Sequence, residues 1–401
     1  MKIEKQLTIV FFAQFLIIAS LDMSDPYWPL IIQSANQYLT PKQLQYWSAA
    51  IYMLPFCITI LTTPFWTHLG ERAGQKKMLL RAGFALIVTQ GLLCVIKQPV
   101  MVLAVRSLQG IFAGFSAAAQ AWSVTMVESG KRNNAIGRLQ AATAIGTIVG
   151  PVLGGMIATA ADYVAIFSAS SIMILFAFLA LFVFLQETPV KKIKATDDVS
   201  PVTEFLSRDL KYVLSMIVLT QMARWMSSSY FALYVAERLD GNTNTVGMLY
   251  SCTAMLMFLS SSRWGQLIDT QSQTNGQSVK KIFIRILLLA AISQLLFAWT
   301  RQLPFALIAA LIWGVCLSAI ALIPFTFIMR YTPPRATGKL IGLGNSASKL
   351  GNLLGVGLGA WIQAETNFVC SFLLIGLFYV VISGLVGYWR FESKPVEAIS
   401  C

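Results

Sequence analysis

The stretch Gly146-Thr-Ile-Val-Gly150-Pro151-Val-Leu-Gly154-Gly155 lies inside a run that is otherwise almost purely apolar. In water so many glycines, with a proline, are a poor prescription for a helix, since each glycine costs about 1 kcal/mol relative to alanine. In a bilayer the same residues stay helical, because freed backbone groups find no water there. Glycine then lets neighbouring backbones approach closely. Positions 146, 150 and 154 recur every four residues and so form one side-chain-free stripe. A helix of this kind can rock against a partner.

The surrounding chain fits that reading. It has 401 residues, 56% hydrophobic and 12% charged, where a soluble domain carries about 25% charged residues. Reading for spans of about 20 apolar residues gives 7–31, 44–66, 78–97, 99–122, 138–160, 163–186, 211–236, 244–264, 281–300, 303–329, 340–363 and 367–389. The expectation is an all-α membrane protein with twelve transmembrane helices. The first span is too long for a leader peptide, and Asp22, Asp25 and Pro26 stand where a small-residue cleavage site would be needed. It reads as a retained helix.

A net charge of +13 raises the question of nucleic acid, but the placement of charge answers it. Of 30 Lys and Arg residues, the loops on one side hold only Lys42, Lys97, Arg238 and Arg301, and Arg106, Arg224 and Lys349 fall within spans. The remaining 23 lie on the other side. That asymmetry is a topology signal that puts both termini in the cytoplasm of a bacterial inner-membrane protein. No nucleic-acid partner is expected. The six cysteines are scattered without metal spacing, and His68 sits at a helix end.

Residues 187–210 form the longest polar segment and divide the chain into six-helix halves, 1–186 and 211–401. Internal duplication is the usual plan of transporters. A faint echo supports it: Glu71, Gly74, Lys76 and Lys77 after the second span match Asp269, Gly276, Lys280 and Lys281 after the eighth.

Three motifs make the chain resemble the drug:proton antiporter group of the major facilitator superfamily over essentially its whole length. In the loop between helices two and three, Leu69, Arg72, Gly74, Lys76 and Lys77 match, whereas Thr67 replaces a glycine and Glu71 an aspartate. In helix four, Arg106-x-x-Gln109-Gly110 matches a buried pattern, and the third motif is the glycine stripe of helix five. The resemblance implies the major facilitator fold and an antiporter, hence export. It also implies that Glu71, Arg72, Gly74, Lys76 and Asp269, with Gly146, Gly150, Pro151, Gly154 and Gly155, serve conformational change.

Ionisable residues inside a membrane are functional candidates by default. Asp22 and Asp25 precede Pro26, which cannot donate a backbone hydrogen bond to the carbonyl of Asp22, so the backbone there is locally opened. Asp22 lies about 12 Å from its helix end at 1.5 Å per residue, and Arg106 falls at a similar depth. An Asp–Arg pair there suits proton coupling, with helix capping as the plainer role, above all for Asp25. Arg224 and Lys349 fall near mid-membrane without an acidic partner in their half, which favours an anionic substrate. Asn345, Trp225, Tyr230 and Gln109 complete the expected substrate surface.

The sequence therefore reads as a proton-coupled efflux antiporter of small amphipathic, anionic compounds, such as drugs or a carboxylate-type siderophore. The alternative is a proton-coupled importer of an organic anion or siderophore. A monomer is expected, driven by the proton gradient without a cofactor. No nucleophile–base or metal constellation points to an enzyme, and no GxxxxGK[ST] loop to ATP.

Overall fold

The computed structural model describes residues 3–127, 132–187, 208–274, 276–330 and 334–389. Its helices are α1 (Ile3–Asp22), α2 (Trp28–Ala35), α3 (Pro41–Ala73), α4 (Gln75–Leu93), α5 (Pro99–Ile111), α6 (Phe115–Met126), α7 (Arg132–Ala160) and α8 (Tyr163–Phe184). They continue as α9 (Arg208–Trp225), α10 (Phe231–Arg238), α11 (Thr243–Thr274), α12 (Gly276–Trp299), α13 (Leu303–Arg330), α14 (Pro334–Glu365) and α15 (Phe368–Tyr388). A 3-10 turn, Asp25–Tyr27, joins α1 to α2. Among the described residues these make twelve helical passages, since α1/α2, α5/α6 and α9/α10 are each one broken passage. The protein is an all-α membrane protein of two six-helix halves.

By length and hydropathy alone, nine passages among the described residues qualify as membrane spans. The other three carry charges within short or mixed apolar runs. α4 opens with Lys76, Lys77 and Arg81, α9 carries Asp209, Lys211 and Arg224, and α14 carries Lys339, Asn345, Lys349 and Asn352.

Two features depart from the spans read off the sequence. Helices overrun them: α3 has 33 residues and α11 and α14 have 32 each, about 50 Å at 1.5 Å per residue. Their polar ends project beyond a hydrocarbon layer of about 30 Å, where hydropathy carries no signal. Three expected continuous spans are also broken. Pro26 and Pro29 remove two backbone donors beyond α1. Gly114 adopts φ 113°, and Arg81 Nη2 donates to the Ala113 carbonyl at 3.1 Å, satisfying the freed end of α5. After α9, Ser228 Oγ donates to the Trp225 carbonyl at 2.7 Å and competes with continuation of the helix.

The chain packs as two compact units, Met1–Lys194 with Ser229–Ala254, and Ala195–Ser228 with Met255–Cys401. Grouping by packing thus differs from grouping by chain order at residues 229–254. In the first unit α1 lies on α7 and α8, α4 on α8, and α3 on α5. In the second α9 lies on α14, and α12 on α15. Passages one/five and three/six are therefore repeated as seven/eleven and nine/twelve. Single contacts repeat as well. Trp66 Nε1 donates to the Ile111 carbonyl at 2.5 Å, and Trp264 Nε1 to the Val315 carbonyl at 3.1 Å. Lys76 Nζ donates to the Phe182 carbonyl at 3.1 Å, and Lys280 Nζ to that of Gly387 at 2.7 Å. The echo of basic pairs in the sequence thus marks one architectural role performed twice.

The glycine stripe is repeated too. A Cβ on Gly150 would lie 2.6 Å from the Ala19 carbonyl oxygen and 2.9 Å from Asp22 Cβ, and one on Gly154 would overlap the Met23 carbonyl. In α14, Gly351 meets the Val218 carbonyl oxygen and, at 2.8 Å, Gln221 Cβ, while Gly355 and Gly359 abut the carbonyls of Met222 and Met226. Helix faces away from such seams are apolar and open: Phe84, Phe176, Phe182 and Leu377 are each more than half exposed, as lipid contact requires.

A side chain cannot enter either seam. Gly154→Leu and Gly355→Leu are each expected to lower the thermal midpoint of the purified protein by several degrees, overpacking costing about 1–3 kcal/mol. Gly137→Leu, where nothing lies within 4 Å of the Cβ position, is expected to leave it unchanged. Equal losses at all three positions would refute the seam argument.

Candidate functional site

In the first unit a polar cluster forms where α1 breaks. Arg106 projects from α5, and its Nη2 stands 3.9 Å from Asp25 Oδ1. Its Nη1 donates to Gln109 Oε1 at 2.8 Å, and its Nε donates to the Ile51 carbonyl at 3.2 Å. The guanidinium carbon also lies 5.1 Å from the centre of the Trp28 ring. Gln109 Nε2 in turn donates to Thr89 Oγ1 at 3.3 Å, and the Tyr52 hydroxyl donates to the backbone carbonyl of Asp25. Two hydrogen bonds and a ring contact thus fix the fork while the carboxylate sits at the long limit of an ion pair. Arg106 is held as a stationary charge, and Asp25, with its side chain 39% exposed, is the looser partner.

The acid beside Arg106 is Asp25. Asp22 stands three residues earlier at the end of α1, against Gly150 and facing Thr147 of α7. The two aspartates therefore occupy distinct surroundings, one at the cation and one on the helix seam. Gln109, expected among substrate-binding residues, is occupied in bonding Arg106.

The seam reaches further than α1. Tyr27 donates its hydroxyl to the Pro151 carbonyl at 2.6 Å, and Ser251 Oγ donates to the Ile148 carbonyl at 2.7 Å. A Cβ on Gly155 would come within 3.0 Å of the Thr243 carbonyl oxygen, and one on Gly247 would overlap the carbonyl of Pro151. Pro151 has no N–H to donate to the Thr147 carbonyl one turn earlier, and the Ile148 and Pro151 carbonyls accept side-chain hydroxyls, so α7 offers acceptors as well as a smooth face.

The second unit holds Arg224 and Trp225 at the end of α9 and Asn345 and Lys349 on α14. Asn345 is exposed, and Arg224, Trp225 and Lys349 are part-buried. Neither Arg224 nor Lys349 makes a hydrogen bond or ion pair among the described residues. Tyr230 is fully buried and belongs to the first unit.

In the loop motif, the side chains of Glu71 and Asp269 lie outside the described residues, and Arg72 is exposed. The acid at the N-terminus of α4 is Glu187: its Oε1 accepts from the backbone N–H of Lys76 at 3.1 Å. Gly74, at φ 96°, gives it room, since a Cβ there would overlap that carboxylate. A negative charge at a helix N-terminus is favourable. In the sequence Glu187 opens the polar segment 187–210, directly after the sixth span. An acid next to two passage ends was the available signal.

Sequence comparison supports the assignment made from motifs and fold. The sequence profile of the Major Facilitator Superfamily matches residues 10–277 and 213–400, and the chain belongs to that family. A staphyloferrin B transporter of Staphylococcus aureus is 25% identical over 391 residues, covering 94% of this chain and 90% of the relative. The multidrug resistance protein MdtG of Salmonella arizonae is 28% identical over 378 residues, covering 92% and 91%. A bacterial homologue of the human lysosomal transporter Spinster, solved inward-facing and unoccupied, shares the fold. Its TM-score is 0.75 at 13% identity, covering 98% of this chain and 99% of the other. The protein is a multi-pass membrane transporter of a small molecule.

Charge alone does not reproduce the Arg106 contacts, because a lysine cannot bond three ways in one plane. Arg106→Lys is expected to lower the thermal midpoint by several degrees, with Gln109→Leu costing about 1–3 kcal/mol through loss of a charged hydrogen bond. The double variant is expected to lose less than the sum of the two, since both remove one contact. Full additivity would show that the contact contributes nothing.

Proposed function

We propose that this protein is a proton-coupled exporter of small amphipathic, anionic compounds, residing in the bacterial inner membrane with both termini in the cytoplasm. It works as a monomer on the proton gradient, without a cofactor or a nucleic-acid partner. The observation that carries the reading is the Asp25–Arg106 pair at a helix break inside the membrane. A carboxylate 3.9 Å from a fixed guanidinium can leave it by taking up a proton, and Asp22 three residues away, on the moving seam, is placed to pass the proton on. An ion pair with one loose member is a suitable coupling element, because its two states differ by one proton and one contact. Gly146, Gly150 and Gly154 supply the surface on which α1 shifts.

Export rather than import is supported by the glycine–proline motif of α7 and by relatives named for multidrug resistance. An anionic cargo is supported by Arg224 and Lys349, which have no ion-pair partner among the described residues, and by the relative named for staphyloferrin B transport. Drugs and a carboxylate-type siderophore are the two substrate classes that fit.

The deciding measurement compares small molecules in cells and spent medium by untargeted mass spectrometry, with and without the protein, in iron-rich and iron-poor growth. An anionic compound retained in cells lacking the protein and missing from their medium is the expected result. A compound left unused in the medium would establish import instead. In proteoliposomes loaded with the compound so found, Asp25→Asn is expected to reduce transport driven by an imposed pH gradient at least tenfold, while leaving exchange without a gradient within about threefold. Loss of both would mean that Asp25 serves binding, not coupling.

A further inference from the structure

Where α2, the connection from α4 to α5 and the start of α8 meet, the first unit holds a cavity of about 260 Å³. Its inner wall is apolar and buried: Ile31 and Ile32 of α2, Leu93 of α4, Val102 of α5 and Phe167 of α8. Trp28 completes that wall, packed on Phe167 at 5.5 Å between ring centres and approached by the Arg106 guanidinium at 5.1 Å. The rim is polar and exposed, with Ser34, Lys97 and Asp162. Phe167 lies five residues beyond Asp162, about 7 Å along the helix at 1.5 Å per residue. The cavity is thus charged at its loop end and apolar at its membrane end.

The rim is held in place while its charges stay unpaired. Asn36 Nδ2 donates to the carbonyls of Ile32 and Lys97, each at 3.1 Å, which ties the Lys97 backbone to the end of α2. Asp162 Oδ1 accepts from the Ala165 N–H at 2.8 Å and caps α8, leaving Oδ2 without a partner among the described residues. The Lys97 ammonium makes no hydrogen bond or ion pair among the described residues. Cation and carboxylate therefore line one cavity without pairing with each other. Beside Lys97 the chain is of the kind that meets lipid: Val95, Val100 and Met101 are each more than half exposed. The volume falls short of the about 300–1,000 Å³ of sites that enclose a whole ligand, yet a cavity of about 150 Å³ already admits benzene. An occupant that fits puts one segment inside and keeps the rest outside, as a membrane lipid does.

We infer that this cavity is a binding site for an aminophospholipid, a lipid whose headgroup joins a phosphate to a primary ammonium. Lys97 Nζ donates to the phosphate in a charge-assisted bond, and the ammonium donates to Asp162 Oδ2. The first part of one acyl chain occupies the space between Ile32, Val102 and Phe167, where each methylene gains from burial, and the other chain stays in the bilayer. An anionic headgroup would satisfy Lys97 but meet like charge at Asp162, whereas pockets for anionic lipids are basic. A soluble zwitterion would leave the apolar wall uncovered. The site gives Lys97 and Asp162 a role that no motif had marked, and it depends on neither the cargo nor the direction of transport.

Retained lipid tests this directly. The full-length protein is reconstituted in nanodiscs of equal parts phosphatidylethanolamine, phosphatidylcholine and phosphatidylglycerol, and the lipid it keeps is identified by native mass spectrometry. Phosphatidylcholine has the phosphate but no N–H, and phosphatidylglycerol has no cation. One phosphatidylethanolamine is expected to be retained at least fivefold over either competitor. Lys97→Gln is expected to lower that retention at least fivefold through loss of the charged bond. Asp162→Asn keeps an oxygen to cap α8 and is expected to abolish the preference over phosphatidylglycerol. Val102→Phe fills the apolar end and is expected to abolish retention, whereas Val100→Phe, at an exposed position, is expected to leave it within twofold. Thermal midpoints show which variants are folded, and the exposed positions Lys97 and Asp162 decide the matter if Val102→Phe is not. Soluble phosphoethanolamine in large excess is expected not to displace the lipid, and displacement would overturn the assignment to a lipid. A preference for phosphatidylglycerol, unchanged retention in Lys97→Gln and Asp162→Asn, or no retained lipid would each overturn the site.

Discussion

At Gly150 a single added carbon atom would lie 2.6 Å from the Ala19 carbonyl oxygen, and at Gly355 it would overlap the carbonyl of Met222. Backbone-to-backbone contact of this closeness is what the rest of the molecule is arranged around. Water gives no help in pressing two apolar helices together within a bilayer, so association relies on packing and on polar contacts that short approach permits. The seams α1/α7 and α9/α14 supply both. At the glycine positions no side chain projects from α7 into α1, and the side-chain contact across that seam is polar, as in Gln14 Nε2 donating to Thr143 Oγ1 at 3.0 Å.

The same closeness dictates where polar chemistry can stand. Each seam lies beside a broken helix, and the freed backbone needs partners that cannot come from lipid. Tyr52, Tyr27 and Ser228 meet that need through side-chain donors to backbone carbonyls. Charged residues can be held at the same level because the protein, not the solvent, surrounds them. Arg106 takes three protein partners and faces one carboxylate, while Arg224 makes no hydrogen bond or ion pair among the described residues. The seam contacts pair Asp22 with Gln221, and three residues on Asp25 with Arg224, so two repeats with one backbone plan carry opposite charge at one position. Duplication preserved the hinge and left the side chains beside it free to diverge.

Membrane class, twelve passages and the first glycine stripe were legible in the sequence because lipid imposes length and apolarity that local composition must record. The helix breaks at 23–27 and 226–230 were less so: Pro26 signalled the first, but the second depends on serine hydroxyls whose choice of carbonyl is made in three dimensions. The stripe Gly351, Gly355 and Gly359 was visible at the same four-residue spacing and would have been found by applying the helix-five pattern to span eleven. Arg106 and the two aspartates could be selected as intramembrane charges, yet depth along a helix does not give azimuth, and depth favoured Asp22 where the turn at Pro26 brings Asp25 to the guanidinium.

What the sequence by itself determined is the solvent and the scaffold: hydropathy, loop charge and glycine period are properties of neighbours along the chain, and a bilayer reads them directly. What only the tertiary structure decided is which polar groups meet. Glu187 capping α4, Arg106 donating to the Ile51 carbonyl, and Tyr27 donating to the Pro151 carbonyl are relations between residues on different passages, tens to more than a hundred positions apart. Hydrogen bonds reach only about 3 Å, so their pairing follows from helix rotation and backbone breaks that no local pattern encodes.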